Sequence, residues 1–89
     1  MSKDFYAARA ECQEALLNLQ VELNTHRNIL DSFKKAHAEL DESVPDAVGD
    51  VLKEAIHRET LRVGLLEAQI RNTQRTLREK YSLAPATVD

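Results

Sequence analysis

The ten residues DESVPDAVGD, Asp41 to Asp50, decide how this chain folds. Pro45 has no backbone donor and its ring clashes with the preceding turn, so no long helix runs through it unbroken. It suits the first turn of a new helix. Ser43 is placed to be an N-cap, with Asp46 as a capping-box-like partner and a favourable charge at the positive helix end. Gly49 stands against this placement and would mark an irregular turn or a later start.

Upstream of that break, Phe5, Cys12, Leu19, His26, Phe33 and Leu40 recur every seven residues. Arg9, Leu16, Leu23, Leu30 and His37 form the adjacent row. Assigned to positions d and a, the two rows hold from Phe5 to Leu40, the pattern of a supercoiling helix. Downstream, Ile56, Val63, Ile70 and Leu77 form one row, and Leu52, Glu59, Leu66 and Thr73 the other. The reading is a helix over about 3–41, a turn at about 42–46 and a second helix over about 44–81. Together these make one domain over 1–81. The tail 82–89, with Pro85, has no periodicity and is expected to be flexible.

A short connection makes neighbouring helices antiparallel. Pairing Leu40 with Leu52 then sets Phe33 opposite Glu59, His26 opposite Leu66 and Leu19 opposite Thr73. The other row pairs His37 with Ile56, Leu30 with Val63, Leu23 with Ile70 and Leu16 with Leu77. The fold class is therefore all-α: a long antiparallel two-helix hairpin, coiled-coil-like.

A two-helix seam is thin, and apolar residues remain outside it. Ala8, Ala15, Ile29 and Ala36 widen the seam of the first helix on one side. Leu17 and Val21 lie on its far side, and Leu61, Leu65 and Ala68 lie off the seam of the second helix. So broad an apolar surface calls for more than one neighbour. The expectation is a homodimer closing into a four-helix bundle, with a twofold axis near Leu23 bringing each leucine patch to the level of the other.

Composition agrees. The 89 residues include two glycines, two prolines, no tryptophan, two Phe and two Tyr, a profile of helices rather than of a β-sandwich or barrel. The net charge of −3 lacks the basic excess of most nucleic-acid binders. No apolar run has the length of a membrane span, and the first residues lack a signal-peptide core. One cysteine forms no internal disulfide. The expected setting is cytoplasmic.

His26 and His37 both fall on the seam, where a neutral imidazole packs and its nitrogens reach a partner. They stand roughly 16 Å apart along one helix, too far to share a metal ion. The functional alternative is a pH-sensitive seam. Glu54 and His57 spell the Glu-x-x-His element of di-iron bundles, but Ile56 faces inward, which turns both toward water. Glu59 is a seam carboxylate expected to reach Arg62 or Lys34, and with Thr73 and Arg9 to fix register. Cys12 reads as a small core residue. Arg71, Arg75 and Arg78 share one helix face, either a stripe for phosphates or an acidic partner, or a solvated face with Glu67 and Glu79 nearby. Residues 46–81 carry seven basic and six acidic side chains, residues 3–42 five and eight.

No phosphate loop, zinc spacing or nucleophile elbow occurs. The reading is a non-enzymatic protein–protein interaction module without cofactor, metal or catalytic residues. It would be an adaptor, an assembly subunit or an inhibitor. The last is of the kind a virus or mobile element encodes against a host protein, an idea resting on size and class alone. Its partner or dimer interface would be Leu17, Val21, Leu61 and Leu65, rimmed by Arg71, Arg75 and Arg78. The alternative is a dimeric bundle that binds nucleic acid through those arginines.

Overall fold

The structure is a computed structural model that describes residues 3–82. It contains two helices, α1 from Lys3 to Ala38 and α2 from Asp46 to Lys80, folded back on each other as an extended antiparallel hairpin. No strand occurs among the described residues. Residues 83–89 of the tail expected to be flexible lie outside the described residues.

The connection is residues 39–45, longer than the sequence reading made it. Ser43 is not the N-cap of α2. Pro45 holds that position with φ −58° and ψ 143°, and no side chain caps the helix. A residue before proline is pushed out of the helical region, so α2 cannot start earlier than the proline allows. The Ser43 hydroxyl is engaged elsewhere: it and the Ser43 N–H both donate to the Asp41 carboxylate. These two donors hold the Asp41 carboxyl below its usual range, the hydroxyl contributing most. Gly49 lies within α2 and disturbs nothing, because its φ is not positive.

The heptad rows sit where they were expected. Leu23 and Leu30 are buried on α1, Leu66 and Ile70 on α2, and most remaining row members are half-buried. Leu23, Leu66 and Ile70 form the centre of the core, with Leu16, Leu19 and Val63 packed against it. Among the described residues, Leu66 alone of the large side chains is fully enclosed.

The seam is displaced by about one helical turn from the pairing read in the sequence, so that a residues face d residues rather than like facing like. Cys12 Sγ, not Leu19, meets the Thr73 carbonyl, at 4.0 Å. His26, not Phe33, meets Glu59, with Nδ1 2.7 Å from Oε2. Cys12 to His26 and Thr73 to Glu59 are equal steps in the sequence, and the Arg27–Glu67 and Glu22–Arg62 pairs straddle the same register, so it is constant along the molecule. The longer connection explains it. Leu40 lies beside Gly49, its Cδ1 3.6 Å from where a Cβ on that residue would stand. Leu40 thus settles about one turn nearer the bend than a pairing with Leu52 would place it. Leu23 and Ile70 still share the central cluster.

The open end of the hairpin is clasped by Arg9, Phe5 and Tyr81. The Arg9 Nε donates to the Tyr81 carbonyl at 3.0 Å. This places a cation at the negative end of α2, where carbonyls lack helical partners. The Phe5 and Tyr81 rings pack with centroids 5.7 Å apart.

Candidate interaction surfaces

Two ion pairs fix which side of the seam each flanking residue occupies. With Ile56 at position a and Glu59 at d, Arg27 and Glu67 are both e residues, and they meet at 2.7 Å. Glu22 and Arg62 are both g residues, and they meet at 3.7 Å. Antiparallel helices bring e beside e on one flank and g beside g on the other. The two flanks can thus be read directly. The e flank carries Tyr6, Gln13, Gln20, Arg27 and Lys34 from α1, and Asp46, Lys53, Thr60, Glu67 and Gln74 from α2. The g flank carries Ala8, Ala15, Glu22, Ile29 and Ala36 from α1, and Val48, Ala55, Arg62, Gln69 and Thr76 from α2. Its only charges are the two that face each other.

Ala55 was not assigned to the seam by periodicity, yet it is buried. As a g residue it lies where the two helices approach and its small side chain is covered by them. Ile29 and Ala8 on the same flank are half-buried, whereas Ala15, Ala36 and Val48 are exposed.

The four residues singled out as an interface are all exposed: Leu17 by 62%, Val21 by 64%, Leu61 by 61% and Leu65 by 51%. Leu17 and Val21 occupy positions b and f, on the back of α1. Leu61 and Leu65 occupy f and c, on the back of α2. The two backs face away from each other across the hairpin. One twofold contact therefore cannot cover both patches, and α1 back on α2 back would run head to tail. Val48 and Val51 add exposed apolar surface near the bend, where with Ala47 and Leu52 they line a shallow apolar groove.

Arg71, Arg75 and Arg78 do line one groove together with Gln74. Among the described residues none of the three has a carboxylate within ion-pair distance. Glu67, expected near them, pairs with Arg27 instead. Arg75 donates to the Asn72 side-chain oxygen at 2.7 Å.

Glu59 reaches neither Arg62 nor Lys34. Arg62 turns to Glu22, and His26 takes the carboxylate. That pair is the polar layer of the seam, with side chains 26% and 19% exposed. His37 is half-buried beside a cleft of about 390 Å³ at the bend, shared with Leu40, Val44, Pro45 and Lys53. Cys12 is half-buried against α2. Glu54 and His57 are both exposed, as the inward-facing Ile56 requires. No helix among the described residues is long and apolar enough to cross a membrane.

Fold and surfaces together define an all-α helical hairpin with one apolar flank, one charged flank and apolar patches on both backs. No family model, no curated protein and no solved structure matches the chain.

Proposed function

We propose that this hairpin is a non-enzymatic protein–protein interaction module, cytoplasmic, acting as an adaptor, an assembly subunit or an inhibitor. It pairs with a second copy into a four-helix bundle and engages a different protein with the backs of its helices. The observation that carries this reading is the distribution of apolar side chains. Leu17, Val21, Val51, Leu61 and Leu65 are each more than half exposed, while the hairpin seam fully encloses only Leu66 among its large side chains. Large exposed apolar clusters mark surfaces that another molecule covers.

The test is capture from lysate with tagged protein, with and without nuclease, comparing the original chain with Leu17→Asp and Leu61→Asp. Both positions are exposed, so circular dichroism should show helicity unchanged. A stoichiometric, nuclease-resistant protein held by the original chain and lost from either variant supports the reading. Capture that survives both substitutions removes these residues from the interface.

A second reading rests on the unpaired arginines. Arg71, Arg75 and Arg78 share a groove with no ion-paired carboxylate, which suits phosphate oxygens. Binding to structured RNA or DNA would then fall steeply with salt, and Arg71→Glu would weaken it sharply. Salt-insensitive binding that survives Arg71→Glu removes it.

A further inference from the structure

The two flanks of the seam differ in a way that selects how two copies would pair. The e flank is charged and amide-rich along its length. The g flank is mostly small and apolar, with Glu22 and Arg62 at mid-length as its charges and Gln69 and Thr76 toward the open end. From this contrast we infer that a second copy of this chain stacks on the g flank, with the twofold axis parallel to the helices and both bends at the same end. The inference rests on the dimer proposed above and specifies its face and symmetry.

Three observations carry it. The first is size. Each helix is about 54 Å long and about 10 Å wide. A flank formed by two helices offers roughly 1,000 Å² per copy, against about 800 Å² per partner in a standard stable interface. The second is chemistry. Ala15 and Ala36 are exposed in the single hairpin, as is Val48. Small side chains let helix axes approach closely, and a polar flank offers no such surface. The third is charge, and it decides the symmetry. Glu22 and Arg62 sit near the middle of α1 and of α2 and at one level, 3.7 Å apart.

Two face-to-face twofold arrangements exist. If the axis crosses the helices, the bends point to opposite ends and α1 lies on α1. Glu22 then comes against the second copy's Glu22, and Arg62 against its Arg62. If the axis runs along the helices, α1 lies on the second copy's α2. Glu22 then meets the other Arg62, closing a ring of four alternating charges. The same arrangement sets Ile29 and Ala36 beside the second copy's Ala55 and Val48. Like charges at a desolvated interface are costly, so the second arrangement is the stable one. Every helix in it is antiparallel to both neighbours, the up-down pattern of four-helix bundles.

The experiment uses sedimentation equilibrium together with a spin-label distance. The label is placed on Ser43→Cys in a Cys12→Ala background, on the full chain. A dimer with label-to-label distances under about 25 Å is expected, since both bends lie together. Opposite bends would separate the labels by roughly a helix length, about 50 Å. Ala15→Glu and Ala36→Glu should each raise the dimer Kd by at least ~100-fold, because each buries an unpaired charge twice. Gln13→Glu and Gln20→Glu, on the other flank, should leave it unchanged. A chain that stays monomeric at 100 μM, about the upper end of a useful assay range, overturns the dimer reading and this inference with it. A dimer with distant labels, or one indifferent to Ala36→Glu, overturns this inference and leaves the dimer reading standing.

Discussion

The two flanks of this hairpin border the same seam, yet they are built from different chemistry. On the e flank, Arg27 and Glu67 are drawn together at 2.7 Å among glutamines and lysines, each partly open to water. On the g flank, Glu22 and Arg62 stand 3.7 Å apart, also half open to water, on a flank otherwise mostly of alanine, valine and isoleucine. An exposed pair in water contributes little, because solvent screens it. A pair set in an apolar surface is worth more once something covers that surface. The contrast shows that a helical hairpin can carry a charged side and an apolar side without any change in the seam between them.

The largest expected effect removes what the flanks share. Leu66→Ala empties the one fully enclosed large position and should cost about 2–5 kcal/mol in urea unfolding followed by circular dichroism. A loss below about 1 kcal/mol would mean that the flanks, not the seam, hold the helices together. Next comes the polar layer. Glu59→Ala leaves His26 without its partner inside the seam and should cost about 1–3 kcal/mol. Replacing both with leucine should recover most of that loss. If the double replacement is worse than the single one, the pair has a role beyond satisfying itself.

Gly64 sharpens the comparison from the charged side. It lies mid-helix with open space where a Cβ would project, so Gly64→Ala should raise stability by about 1 kcal/mol. No change in thermal unfolding would mean that the helix there is not the limiting element. The smallest effects separate the flanks themselves. Arg27→Ala should cost roughly 0.2–1 kcal/mol, and less in high salt, at any protein concentration. Arg62→Ala should cost nothing measurable in dilute protein and should show its effect only where the chain associates. Equal losses from both substitutions at every concentration would erase the distinction between the flanks.

Much of this was legible in the sequence. The heptad rows of α1 and α2 are set by residue type at fixed spacing, and an apolar row has one way to leave water. Pro45 forces a break by its ring alone. The leucines at 17, 61 and 65 were legible as outsiders because they miss the rows. Ala55 and the His26–Glu59 pair were not. Alanine carries too weak a hydrophobic signal to betray its flank, and a partner across the seam depends on register. Register in turn depended on the length of the connection, where Ser43 had two uses open to it. A hydroxyl can cap a helix or donate to a nearby carboxylate, and sequence spacing alone does not choose. Arg9 was legible as a polar seam residue, but not as the clasp on the Tyr81 carbonyl, which requires knowing where α2 ends.

By itself, then, the sequence determined that there are two helices, where they break, that they run antiparallel and which stripe of each is apolar. These follow from periodicity, proline and chain length, all local properties. Only the tertiary structure decided the register and with it which polar groups meet. Only it sorted the remaining residues into a charged flank, an apolar flank and two backs. The physical reason is that two heptad rows can face each other like to like or a to d, registers about one turn apart that bury the same apolar stripe. The choice between them falls to contacts that occur once, such as Leu40 beside Gly49 and Arg9 at the end of α2.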